Sequence, residues 1–265
     1  MFAPWPPHGL LSTNPWLAAR RVLVTAGRQV SDLLFPKGCL TCEALMPDKP
    51  NVFICSECEL RVEPCGGPAC SLCGRPFWTF GASFVAPGSL CGLCRTQPPP
   101  FASARAVGLY RGYLKSLILR MKFRPDAKAA FALGGLLAGS YPELFGDLAP
   151  GAVVPVPLHT ERFLEREFDQ SVLMARELAR RMGWPLKSWL RRTRPTPRQT
   201  TLSRAGRRAN VRGAFALAWR ASPEGKTVLL VDDILTTGAT AREAARVLVR
   251  SGAEAVHVYT AARVE

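Results

Sequence analysis

Residues 228–240 read Val-Leu-Leu-Val-Asp-Asp-Ile-Leu-Thr-Thr-Gly-Ala-Thr. Four apolar residues deliver two adjacent carboxylates, Asp232 and Asp233, into a turn of hydroxyls and bare backbone. Like charges so close repel, so donors or a cation must stand between them. The apolar run reads as a parallel strand buried on both faces, and in open α/β sheets ligands bind beyond the carboxyl ends of the strands. Two carboxylates at such an end are good acceptors for a cis-diol, such as the 2′- and 3′-hydroxyls of a ribose. Thr236, Thr237, Gly238, Ala239 and Thr240 follow, with hydroxyls, backbone N–H groups and a close approach at Gly238, where a helix opens. A helix N-terminus with free N–H groups is a phosphate site. Diol acceptors beside a phosphate cradle describe a ribose 5-phosphate. The plainer alternative leaves Asp233 and Thr237 as turn and N-cap residues; the whole run together favours the ribose phosphate.

A second chemistry lies near the N-terminus. Eight of the nine cysteines form four Cys-x-x-Cys pairs: Cys39 with Cys42, Cys55 with Cys58, Cys70 with Cys73, and Cys91 with Cys94. In a reducing cytoplasm this spacing means metal rather than disulfide. Twelve residues separate Cys42 from Cys55 and seventeen separate Cys73 from Cys91, and both gaps suit four-cysteine zinc ribbons. Sequential and cross-braced pairings both satisfy the spacing. Four thiolates leave no open position, so the expected zincs, two of them, are structural. Cys65 reads as a small apolar filler.

These groups need a scaffold. From about residue 101 the texture alternates, with strands expected at 105–110, 152–156, 213–217, 226–231 and 255–260. Helices are expected near 112–122, 127–140, 168–182 and 239–251. Such alternation points to a parallel sheet covered on both faces. Residues 1–35 read as a Pro- and Trp-rich tail with an amphipathic helix over 17–35, residues 36–100 as a cysteine-rich zinc-binding module, and residues 101–265 as the α/β domain. No apolar window approaches the roughly 20 residues of a bilayer helix, and Arg20, Arg21 and Arg28 break up the first apolar run. A soluble, cytoplasmic chain without membrane insertion is expected.

The formal net charge is +15, unevenly spread. The segment 187–212 carries nine basic residues and no acidic one, and such a block seeks phosphate, pyrophosphate or nucleic acid. The basic stretch 120–124 fits either pyrophosphate binding or an ordinary solvated helix face. His159 fits a proton-transfer or a structural role, and His257, inside the last expected strand, fits a packed core position.

The stretch around Asp232 and Asp233 resembles the phosphoribosyl-diphosphate (PRPP) signature of type I phosphoribosyltransferases. The resemblance extends over about 36–262 and narrows to the ComF/GntX family of competence-associated proteins. It rests further on 35-FPKGCLTC-42, 154-VPVPL-158, 162-RFLEREFDQ-170 and 196-TPRQTTLSRAGRRANVRGAF-215. The resemblance implies a type I phosphoribosyltransferase-like parallel sheet flanked by helices, preceded by a small zinc-ribbon module. It makes Asp232 and Asp233 the catalytic pair holding the ribose hydroxyls, and 236–240 the 5-phosphate loop. Pro157 and Leu158 would lie in the pyrophosphate loop, with Arg162, Arg166, Gln170, Arg194 and Arg207 binding substrate. Magnesium would accompany PRPP. Where the family usually reads Arg-Gly-Phe-Asn-Gln, this chain has 166-REFDQ-170: Glu167 replaces a glycine, and Asp169 puts an anion near the expected pyrophosphate.

The resemblance also implies a link to DNA uptake and natural transformation, with a competence helicase among the partners. Two functions follow. One is a PRPP-dependent phosphoribosyltransferase, a glycosyltransferase whose acceptor the sequence does not name. The other is a non-catalytic factor that binds single-stranded nucleic acid and keeps the fold as a ligand platform. The basic segment and zinc module favour the second, the acidic pair and threonine loop the first.

Overall fold

The computed structural model describes residues 38–46, 53–77, 85–123, 126–158, 169–194 and 204–264. Its frame is a four-stranded parallel sheet. The strands are β1 (Ser103–Leu109), β2 (Ala152–Pro155), β5 (Thr227–Leu235) and β6 (Ala255–Arg263), in the order β1-β6-β5-β2. Val228, Leu229, Leu230 and Val231 are wholly buried, as a strand covered on both faces requires.

Period-two alternation sends these side chains to two different layers. Leu229 and Val231 pack with Val153 and Tyr259 against α3 (Gly112–Phe123), α4 (Ala127–Phe145) and α5 (Gln170–Met182), through Leu117, Leu133, Leu137, Met174 and Leu178. Val228 and Leu230 pack on the other face against Ala241, Ala244, Ala245 and Leu248 of α7 (Ala239–Arg250). Leu190 and Phe215 complete that layer. They come from β3 (Leu190–Arg192) and β4 (Phe215–Leu217), a separate antiparallel pair.

That pair corrects the expectation for 213–217, which does not join the parallel sheet. Its strand is short and pairs with Leu190–Arg192, which charge and length had hidden among the basic residues. The helix α6 (Arg204–Val211) was hidden in the same way, within the basic segment 187–212. Among the described residues no helix is long and apolar enough to cross a membrane. The helix expected over 17–35 lies outside the described residues.

The cysteine-rich segment contributes the short helices α1 (Ser56–Leu60) and α2 (Gly92–Thr96). It also closes the exposed edge of β1, whose unpaired N–H groups would otherwise invite another strand. Leu109 N–H donates to the Glu63 carbonyl at 2.8 Å and Ala104 N–H to the Leu72 carbonyl at 2.7 Å. Contact is so close at Gly108 that a Cβ there would lie 2.4 Å from the Glu63 oxygen; only glycine fits. Cys39 and Cys58 share the core of the α3–α5 face, while Cys70, Cys73, Cys91 and Cys94 share that of the α7 face.

Candidate active site and cysteine clusters

The acidic pair stands where one strand outruns its neighbour. β2 ends at Pro155 opposite Val231, whereas β5 runs on beside β6 until Leu235 faces Arg263. The strand therefore does not stop at Val231 as expected: Asp232 and Asp233 belong to it, on the side that β2 has vacated. The chain beyond β2 stays close, with Val156 N–H donating to the Val231 carbonyl at 2.9 Å. That places Pro157 and Leu158 alongside the pair, both partly buried.

Strand alternation turns Asp233 toward the α3–α5 face and Asp232 toward the α7 face. Lys122, in the last turn of α3, meets Asp233 with Nζ 2.6 Å from Oδ2. Asp232 Oδ1 accepts the N–H of Asp233 at 2.9 Å. Burial pushes the Asp232 carboxyl up to about 7, helped by the Asp233 charge and opposed by that N–H, Lys122 and Arg192. Arg192 belongs to β3, its guanidinium 5.2 Å from the Phe215 ring centroid.

Asp169 is the third carboxylate. It is the N-cap of α5, with Oδ1 accepting from Val172 N–H at 3.2 Å, and its Oδ2 accepts Leu158 N–H at 2.9 Å. Burial raises its pKa against the pull of those N–H groups, and Asp233 raises it further. Asp169 thus serves as a clamp between α5 and the loop after β2.

Beyond β5, Gly238 sits at φ +73°, which favours glycine. From it α7 starts without a side-chain cap and without an acidic residue in its first turn. Thr237 Oγ1 accepts only a long 3.4 Å bond from Ala239 N–H. The positive end of the helix dipole is therefore not met by a carboxylate of its own, which suits an anion. Thr236, Thr237 and Thr240 are partly buried and Ala239 is buried.

Among the other expected substrate contacts, Gln170 has a buried side chain that donates Nε2 to the Met121 carbonyl at 3.3 Å and so braces the end of α3. Arg194 is exposed and donates Nη2 to the Arg212 carbonyl at 2.7 Å. Arg207 lies on α6, which places its backbone alone. His159, Arg162, Arg166 and Glu167 lie outside the described residues. Sequence reading missed the roles of Lys122 and Asp169. It also missed Glu243, whose Oε1 accepts Gly213 N–H at 2.8 Å and ties the end of the basic segment to α7. The basic 120–124 stretch was the one signal for Lys122.

The cysteines gather sequentially, which resolves the pairing that spacing left open. Cys39, Cys42, Cys55 and Cys58 form one group and Cys70, Cys73, Cys91 and Cys94 the other, each with its sulfurs within 4.8 Å of one another. The Cys42–Cys55 and Cys73–Cys91 sulfurs lie 3.6 and 3.7 Å apart. A disulfide needs about 2.05 Å, whereas a tetrahedron with about 2.3 Å Zn–S bonds has edges of about 3.8 Å. The donor sets fit zinc. Two arginines from the sheet flank the second group: Arg263 Nη1 donates to the Cys73 carbonyl at 2.5 Å, and Arg105 Nη1 to the Ser71 carbonyl at 3.0 Å. Cys65 belongs to neither group. His257, in β6, meets Ser103 Oγ at 2.8 Å through Nδ1.

Residues 30–95 match the double zinc ribbon domain, and residues 169–264 match the phosphoribosyl transferase domain. The chain is 34% identical over 217 residues to the DNA utilization protein YhgH of Escherichia coli K12, covering 79% of this chain and 90% of that protein. It is 30% identical to competence protein F of Haemophilus influenzae, over 85% of this chain and 96% of the relative. To competence protein ComFC of Bacillus subtilis it is 31% identical, over 80% of this chain and 85% of the relative. Identity at this level along most of both chains, with both domains matched, means that this protein belongs to the ComF family of YhgH and the competence proteins.

Proposed function

We propose that the chain binds PRPP with magnesium and transfers its phosphoribosyl group to an acceptor. One juxtaposition carries this reading: the Asp232–Asp233 pair on the overhanging end of β5, followed directly by the uncapped start of α7. Asp232 and Asp233 take the ribose hydroxyls and Thr236–Thr240 the 5-phosphate. Pro157 and Leu158, with Arg162, Arg166, Arg194 and Arg207, form the pyrophosphate side. Phosphoribosyl transfer passes through an oxocarbenium-like transition state, so the protein's task is positioning and charge stabilisation.

The convergence of Asp169, Asp232 and Asp233 fits a cation arriving with the substrate. Magnesium, when bound, offsets the charge of the pyrophosphate and lets it depart. Calorimetric titration with PRPP and Mg²⁺ tests the reading: the parent chain binds, and the Asp232→Asn, Asp233→Asn double variant does not. Absence of binding to the parent overturns it.

A second reading shares the fold. Arg191 and Arg194 are exposed, and α6 carries Arg204, Arg207 and Arg208 close by in sequence. The relatives are named for DNA utilization and competence. These observations favour a surface for single-stranded nucleic acid; the reading is completed by a competence helicase as partner and a cytoplasmic location, which the family resemblance implies. Two structural zincs, one in each cysteine group, stiffen a module over 36–100 that leads into the phosphoribosyltransferase domain over 101–265.

A further inference from the structure

We propose that Lys122 is the positioning residue of the acidic pair: from the last turn of α3 it holds the Asp233 carboxylate in the ribose seat and supplies the positive charge that lets two adjacent carboxylates stand there. The inference rests on the ribose-phosphate reading of the site.

Three observations support it. First, the geometry is that of a committed pair. Nζ lies 2.6 Å from Asp233 Oδ2, and the two side chains are only 19% and 18% exposed. A lysine serving a solvated helix face keeps its ammonium in water, because the hydrated charge and the free stem both favour it. Lys122 gives up both for Asp233.

Second, the backbone that carries it is held. Tyr113, Leu114, Leu117, Ile118 and Met121 bury the inner side of α3, and the buried Gln170 amide bonds the Met121 carbonyl next to Lys122. Gln170 begins α5 immediately after Asp169. One corner of the fold thus places Lys122 and, through Asp169, the loop at Leu158.

Third, the local charges need it. Among the described residues, the groups acting on the pair are Lys122 from α3, Arg192 from β3 and Asp169 from the start of α5. Arg192 is placed over the Phe215 ring, and Asp169 adds a negative charge. Lys122 Nζ is in direct contact with a carboxylate of the pair. Without it, like-charge repulsion and burial both favour taking up a proton, and a protonated Asp is a poorer acceptor for a ribose hydroxyl.

The test compares Lys122→Met with Lys122→Arg. PRPP with Mg²⁺ is titrated calorimetrically from about pH 6 to about pH 9, and the aspartate carboxyl carbons are titrated by NMR without ligand. The Met variant is expected to bind PRPP at least about tenfold more weakly near pH 7 and to recover as pH rises, its profile displaced upward by about one unit. The Arg variant keeps the cation and stays within about threefold of the parent. In the ligand-free titration the Asp232 carboxyl, which Lys122 pulls downward, moves up in the Met variant alone. A Met variant with the parent's pH profile and unmoved carboxyls overturns the proposal, as does weakened binding that is the same at every pH, since that is loss of structure. A parent chain that binds no PRPP overturns the ribose-phosphate reading instead; the carboxyl titration then still decides whether Lys122 holds the pair.

Discussion

Asp169 Oδ2 accepts the backbone N–H of Leu158 at 2.9 Å while its Oδ1 caps α5 at Val172. A carboxylate satisfies both N–H groups, whereas an asparagine has one acceptor oxygen and would turn its NH₂ toward the other donor. Replacing Asp169 with asparagine removes a charge beside the expected pyrophosphate, which alone would tighten PRPP binding. It also frees one end of the clamp. Asp169→Asn is therefore expected to cost about 1 kcal/mol of stability, and Asp169→Ala about 2–3 kcal/mol. Urea unfolding measures both. PRPP affinity of Asp169→Asn is expected to stay near the parent's, because a loosened Leu158 offsets the relieved repulsion.

The acidic pair makes stability depend on pH. Burial lifts Asp232 from the ordinary carboxyl value to about 7, so between roughly pH 4 and 7 the folded chain holds more protons than the unfolded one. Stability then falls as pH rises through that window, by up to about 1.4 kcal/mol per unit. Asp232→Asn removes this slope, and chemical denaturation at several pH values from 4 to 8 reads it.

Asp233→Asn has the opposite consequence for the fold. It relieves repulsion with Asp232 but leaves Lys122, whose side chain is 19% exposed, without its carboxylate. The second effect outweighs the first, because an uncompensated, mostly buried ammonium is the costlier state. A loss of about 1–3 kcal/mol is expected, and adding Lys122→Met should restore part of it. Thermal unfolding of the single and double variants checks the coupling.

Zinc is expected at about two ions per chain by elemental analysis. Removing it should loosen more than the cysteine segment. Ala104 and Leu109 of β1 bond the Leu72 and Glu63 carbonyls, and the buried Arg263 bonds that of Cys73. Hydrogen exchange should therefore quicken along β1 and at Val264, whose N–H donates to Leu235 just before the threonine loop. Protection unchanged in β1 would show the two parts to be independent.

The basic surface answers to salt. Changing Arg191, Arg192, Arg198 and Arg204 to Gln should flatten the salt dependence of single-strand binding by a few units of slope, at about 0.7 for each phosphate no longer neutralised. PRPP affinity should change little through Arg191, Arg198 and Arg204. Arg192 acts on Asp232, so the Arg192→Gln single variant separates the two effects.

The acidic pair, the threonine loop and the four cysteine pairs were legible in the sequence because each is a contiguous motif, and local spacing sets what such a motif can hold. The buried strand around Leu229 and the alternation of helices with strands were legible for the same reason, through residue periodicity. The short β3 and α6 were not, since Leu190–Arg192 and Arg204–Val211 carry too little apolar pattern to stand out from a charged loop. Only the tertiary structure chose sequential sulfur grouping over cross-bracing. It alone made Asp169 a clamp, placed Gln170 in the core and set Lys122, from a basic stretch that fitted either pyrophosphate or a solvated helix face, onto Asp233. Each of those outcomes joins groups distant along the chain, and their meeting depends on how α3 and α5 pack over one face of the sheet and on β2 ending short of β5. A side chain's partner is a property of that packing, which spacing along the chain does not encode.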